Sequence, residues 1–326
     1  MTDRILGIRP LGFPWETSDP FLFCAHHDDR YPAGNEEMGP AASLAGRQLG
    51  MDFTIRDGWR MYHGDIVPGF PRHPHRGFET ITLARRGLID HSDGLGAKAR
   101  FGHGDVQWMT AGRGIEHAEM FPLVNRDAGN PTELFQIWLN LPAEDKMVEP
   151  YFTMLWADTI PVVEADGVKR VILAGADVAA PPNSWASRPD SKVEIWTMSL
   201  DPGARFVFSP EPGVNRSLYF FQGSSARIAG RKIAVSHGIR LNSEAEVELV
   251  NGPEAAEFLL LQGRPIGEPV AHRGPFVMNT PGELQQAYLD YRRGLFGGWP
   301  HARTDPVHAR DAGRFALHAD GREERP

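Results

Sequence analysis

Turn-forming residues recur so often in this chain that long helices have little room before Thr280. The 326 residues include 35 glycines and 27 prolines, and between these breakers lie short runs of β-branched and aromatic residues. The clearest early runs are 78–84 (FETITLA), 105–110 (DVQWMT, after a Gly-His-Gly turn) and 134–139 (LFQIWL). Later come 171–173, 193–200, 205–208, 217–222, 246–250 and 258–261, separated by turns such as Asp201-Pro202-Gly203 and Asn251-Gly252-Pro253. Strands at roughly ten-residue spacing with such turns predict an all-β sandwich or barrel architecture. Residues 1–50 are turn-rich, with Phe21, Leu22 and Phe23 as buried candidates. One helix is well marked. Thr280 and Glu283 have capping-box spacing with Pro281 at the first helical position, and Leu284, Tyr288, Tyr291 and Leu295 fall on one face before Gly297-Gly298. The tail 299–326 reads as an extended arm, loosely packed or partly disordered.

Length and composition bound the rest. A chain of this size favours two compact domains over one core. The net charge of −8, with 34 scattered Lys and Arg, predicts no direct nucleic-acid partner. No run of about 18 apolar residues exists for a membrane span, and residues 1–11 lack a secretory pattern. The single cysteine, Cys24, cannot form an intramolecular disulfide and reads as a packing residue. A cytoplasmic protein is expected.

Chemistry concentrates between residues 70 and 120. His73-Pro74-His75 puts two imidazoles at i and i+2, on one face of an extended segment, and His117-Ala118-Glu119 repeats that geometry with a carboxylate. On neighbouring strands the four side chains would converge on a divalent transition metal, with Fe, Mn, Ni or Cu suited better than Ca or Mg. Zn would suit a closed, mainly structural site. Taken alone, His73 and His75 also fit a turn stiffened by Pro74 that carries surface histidines.

The runs HPHRGFET at 73–80 and GDVQWMTAGRGIEHAEM at 104–120, with EDKMVEP at 144–150 and GPFVMNTPGE at 274–283, closely resemble the pirin family of the cupin superfamily. The resemblance implies a bicupin, two face-to-face β-barrels with metal in the first alone. The expected divisions are a metal-binding barrel at 1–142, a metal-free barrel at 143–279, and a capping helix with an extended tail at 280–326. The family's ligands fall on His73, His75, His117 and Glu119. Iron, as Fe(II) or Fe(III), is the implied metal, with Cu, Ni, Mn and Zn as alternatives. Glu79 stands where many cupins supply a carboxylate ligand; here it is expected to shape the pocket, with a structural interior carboxylate as the alternative. His237 and His272 read as packing residues. Arg76, Gln107 and Trp108 lie in the matching motifs; alternation points Arg76 outward to a local partner, and Trp108 reads as core.

The resemblance further implies an oxidoreductase, a metal-dependent dioxygenase of the quercetin 2,3-dioxygenase type. A small phenolic substrate and O₂ would be its partners, with Glu119 or Glu79 accepting the substrate proton. The alternatives are a redox-sensing regulatory protein that binds a transcription regulator or a metabolic enzyme, and a metal-bound barrel with an unrelated small substrate. A monomer is expected.

Overall fold

The expected strands form, most of them reaching past their sequence-defined ends, in a computed structural model that describes residues 3–175 and 184–326. The run at 78–84 extends to Phe78–Arg86, 134–139 to Asn130–Asn140 and 258–261 to Ala256–Gly263, whereas Arg205–Phe208 keeps its predicted limits. Ladder hydrogen bonds carry pairing into polar flanks that hydrophobic patterning does not mark. Over the described residues the chain divides into two units. One comprises Met1–Ala25, Ile137–Pro142 and Thr159–Gly267; the other comprises His26–Gln136, Ala143–Asp158 and Glu268–Pro326.

The second of these units carries the His-x-His and His-x-Glu segments. Most of its strands belong to two sheets. One has the order Tyr151–Leu155, Val106–Thr110, Phe78–Arg86, Asn130–Asn140, Phe21–Tyr31, and the other Glu323–Glu324, Phe315–Leu317, Lys98–Gly102, Leu88–Asp93, Ile115–Met120, Gly69–His75. Ala84, Met109, Leu134 and Phe152 of the first meet Ile89, Ala99, Phe101 and Ile115 of the second in one buried cluster. The Leu, Ile, Met and Phe side chains among them contribute roughly 1.5–3 kcal/mol each when fully buried.

The other unit is built likewise. A seven-stranded sheet runs Ile5–Pro10, His237–Leu241, Asn215–Gln222, Ala256–Gly263, Glu194–Leu200, Val168–Ala174, Val162–Ala165, and a four-stranded sheet runs Arg205–Phe208, Val247–Asn251, Ser225–Ile228, Arg231–Ala234. Leu218, Phe220, Phe258 and Leu260 pack with Phe208, Val247 and Leu249 between them. Cys24 is fully buried, and burial pushes its thiol well above its ordinary pKa, as a packing role requires. His237 and His272 bond to nearby carbonyls, those of Ala234 and Gly274.

The helix is Pro281–Arg292, with both capping-box bonds present: the Glu283 N–H donates to Thr280 Oγ1 at 3.2 Å and the Thr280 N–H to Glu283 Oε2 at 2.9 Å. It stops earlier than expected. Gly294 takes φ 74°, the Leu295 N–H returns to the Asp290 carbonyl and the Gly294 N–H to that of Tyr291, the paired bonds of a Schellman motif. Leu295 therefore leaves the apolar face and is 59% exposed, while Leu284, Tyr288 and Tyr291 pack on Phe276 and Phe296. Among the described residues no helix is long and apolar enough to cross a membrane.

The tail is not loose. Phe315–Leu317 pairs with Lys98–Gly102, and buried Arg100 joins Asp90 at 2.6 and 2.7 Å while donating to the carbonyls of His308 and Ala309. Asp90 also accepts from the His308 N–H at 2.7 Å. Leaving such a buried pair half-made costs several kcal/mol, about 3–5, which ties the tail to the sheet.

Candidate metal centre

Register brings the two motifs together. Gly69–His75 pairs antiparallel with Ile115–Met120, with His73 opposite His117 and His75 opposite Ile115, after an irregularity between Phe70 and His73. Gly69–His75 is the edge of its sheet, the position where Pro71 and Pro74, lacking N–H donors, are tolerated. Residues 73, 75, 117 and 119 thus share the inward face. Behind this strand the chain approaches closely at two glycines. A side chain at Gly77 (φ 85°) would lie 1.9 Å from the Val277 carbonyl oxygen, and one at Gly114 (φ 134°) 2.7 Å from the Phe296 ring.

The imidazoles of His73, His75 and His117 offer nitrogens that all lie within 4.8 Å of one another, with ring centroids 4.3–4.9 Å apart. Two ligand atoms on opposite sides of one ion sit at most about 4.2 Å apart, so the widest pair must close by roughly half an ångström, within reach of side-chain rotation. His73 Nδ1 lies 2.8 Å from the Pro71 carbonyl and His75 Nδ1 3.4 Å from that of Pro275. A carbonyl only accepts, so both rings carry the proton on Nδ1 and turn Nε2 to the centre. Among the described residues His117 has no hydrogen-bond partner on either nitrogen although it is fully buried. Burial lowers all three pKa values, that of His73 to about 4 although part of its surface stays open. The neighbouring imidazoles push the same way, and the lone pairs are free at neutral pH.

Glu119 lies beside this triad, outside the set of ligand atoms that come within 4.8 Å of one another. Its Oε2 is 3.9 Å from His117 Nε2 and accepts from Gln136 Nε2 at 2.7 Å, while Thr82 Oγ1 donates to Oε1 at 3.3 Å. Burial raises its pKa, and these bonds oppose the rise. An ion held by the three imidazoles and Glu119 would satisfy the orphaned His117 nitrogen and compensate the desolvated carboxylate, so the residues present fit a transition metal. His73 alone of the four is only half-buried, so the cluster lies nearest the surface on that side.

Glu79 does not join them. Phe78 packs against His75 and Thr82 bonds Glu119, so the intervening odd positions of Phe78–Arg86 face the other side of the sheet. There Glu79 accepts from Trp108 Nε1 at 3.0 Å and from Thr110 Oγ1 at 2.7 Å. Its carboxylate is thus held by Trp108 and Thr110, on the face away from His75 and Glu119. Arg76 also departs from expectation. It is buried, its Nε donating to the Arg113 carbonyl at 2.5 Å and its Nη1 to Asp290 on the distant helix at 2.8 Å, with its guanidinium over the Phe296 ring.

Several neighbours carry no motif of their own. His91 is opposite Glu119 and Asp93 opposite His117, with His91 Nε2 3.2 Å from Asp93 and the His91 and His117 ring centroids 5.5 Å apart. The i, i+2 spacing of His91 and Asp93 in 90–93 (DHSD) is the sequence signal that would have marked them. Gln107, opposite Thr82, points an unpartnered buried amide nitrogen to the same interior.

The chain resembles known proteins in family and fold. The Pirin family model matches residues 11–139, and the model of the Pirin C-terminal cupin domain matches 195–297. A pirin-like protein of Solanum lycopersicum is 39% identical over 234 residues, 70% of this chain and 77% of that protein. Human Pirin is 37% identical over 248 residues, 74% of this chain and 82% of its own. The crystal structure of a quercetin 2,3-dioxygenase from Acinetobacter baumannii superposes with a TM-score of 0.72 at 26% identity, covering 90% of this chain and 98% of that one. With its all-β build and single C-terminal helix, the chain belongs to the pirin family of bicupins.

Proposed function

We propose that this pirin is an iron-dependent dioxygenase of the quercetin 2,3-dioxygenase type, acting with O₂ on a small phenol whose neighbouring oxygens chelate the ion. The observation that carries this reading is the buried His117 imidazole, both nitrogens without a partner, facing His73, His75 and Glu119. Its likeness to the Acinetobacter baumannii quercetin 2,3-dioxygenase supports the reaction class.

Each residue has a distinct part. The Nε2 atoms of His73 and His75 face the centre because Pro71 and Pro275 engage the opposite nitrogens. Bound there by the imidazoles and Glu119, iron would supply Lewis-acid polarisation of the substrate oxygens and an electron path to O₂. Glu119 receives the proton of the substrate hydroxyl on a carboxylate oxygen. Gln136 and Thr82 keep that carboxylate aimed inward. The apolar walls, Phe70 and Phe78 among them, pack beside His73 and His75 and limit water around the substrate.

Aerobic incubation of the iron-loaded protein with quercetin tests the reading. Metal-dependent loss of quercetin absorbance with release of CO is expected, and neither should occur with His73→Ala. Wild-type protein with a full complement of iron and no turnover would refute the assignment.

A further inference from the structure

The interior of the other unit ends in charge rather than imidazole. Along Asn215–Gln222 the inward series Phe220, Leu218 arrives at Arg216, and along Ala256–Gly263 the series Phe258, Leu260 arrives at Gln262. On Glu194–Leu200 the residues Leu200 and Met198 give way to Trp196 and Glu194, and on Val168–Ala174 Val168 is followed by Arg170. Gln262 is opposite both Glu194 and Arg216, and Arg170 is opposite Met198. Strand alternation thus places all five polar side chains on one face at one end of the core. They line a cavity of about 190 Å³ together with Phe206 and Glu211, whose carboxylate lies 3.5 Å from Lys192 Nζ.

The cavity is chemically unfinished. Trp196 Nε1 is buried with no hydrogen-bond partner. Arg216, 6% exposed, donates from Nε to Gln262 at 2.5 Å and from Nη1 to the Ser209 carbonyl at 3.0 Å, which leaves its Nη2 donors over. The Arg170 guanidinium lies 4.8 Å from the Trp196 ring centroid and 5.2 Å from that of Phe206, held by cation–π contact. Neither the Arg170 guanidinium nor the Glu194 carboxylate has a hydrogen bond or ion pair among the described residues. Burial raises the Glu194 pKa and lowers that of Arg216, so both groups are held with their charges incompletely compensated.

We propose that this cavity binds a small carboxylate carrying a hydroxyl or amino group on the adjacent carbon. The ligand carboxylate accepts from Arg170, Arg216 and the Trp196 N–H, and its neighbouring hydroxyl or amino group donates to Glu194. Drug-sized ligands need roughly 300–1,000 Å³, so the volume admits only a few non-hydrogen atoms. Isothermal titration of the full chain, stripped of metal, with L-lactate, L-alanine and propionate tests the assignment. Saturable one-to-one binding of lactate or alanine is expected, with propionate weaker by about tenfold, because it leaves Glu194 without a donor. Trp196→Phe, which keeps the ring and removes the N–H, and Arg170→Gln should each weaken binding by about tenfold or more. His73→Ala should bind as the wild type does, which separates this cavity from carboxylate binding at the imidazole cluster. Absence of saturable binding by lactate and alanine, or binding that survives both Trp196→Phe and Arg170→Gln, would overturn the proposal.

Discussion

Strand Ile115–Met120 and strand Asn215–Gln222 both present alternate residues to an interior, yet one offers Ile115, His117 and Glu119 and the other Arg216, Leu218 and Phe220. The first interior has neutral nitrogen lone pairs converging beside a carboxylate, a donor set for a cation. The second sets guanidinium groups and an indole N–H beside the carboxylates of Glu194 and Glu211, a set for a molecule that carries an acceptor and a donor together. The two units share an architecture, and the identity of a few inward residues decides what each can hold.

Substitutions sharpen the contrast when each is read by two measurements, stability and metal content. The largest expected effect is Leu260→Ala, in the core beneath the guanidinium cavity. It should lower unfolding stability in denaturant by about 2–5 kcal/mol, and a smaller loss would mean that the apolar layer there is poorly packed. Next comes Gln136→Leu, which removes the donor that aims the Glu119 carboxylate. Loss of such an orienting bond typically weakens metal affinity by about 10–100-fold, measurable by competition with a chelator, and unchanged affinity would remove Glu119 from the ligand set. Glu79→Gln should cost only about 1–3 kcal/mol of stability through its bonds from Trp108 and Thr110. Its metal content should stay at the wild-type level, whereas loss of metal would return Glu79 to the site. The smallest effect is Thr280→Ala, expected to cost about 1 kcal/mol through the helix cap.

Much of the imidazole cluster is legible in the sequence. The two i, i+2 motifs name a shared strand face, and the match of 73–80 and 104–120 to pirins names the partners. The all-β class was legible in the spacing of turns, and the helix start in Thr280-Pro281-Gly282-Glu283. What stayed hidden depends on which strand lies beside which. Gln136 and Thr82 reach Glu119 from strands whose adjacency has no local signature. The placement of Glu79 follows from strand phase, because Phe78 and Thr82, on the alternate positions, take the inward face. Arg76 finds Asp290, and Arg100 finds the backbone of 308–310, across more than two hundred residues. The helix ends at a Schellman turn around Gly294 rather than at the more conspicuous Gly297-Gly298, since a left-handed glycine satisfies the last carbonyls wherever it first falls. The charged cavity has no motif at all; its five residues come from four strands and become a group only through register.

The decisive measurement is the metal content of protein purified without added metal, determined by elemental analysis for the wild type and for His117→Ala. About one transition-metal ion per chain in the wild type and close to none in the variant are expected, because His117 has no other partner for its buried nitrogens. Equal metal content in the two proteins would contradict the assignment of the ion to His73, His75, His117 and Glu119.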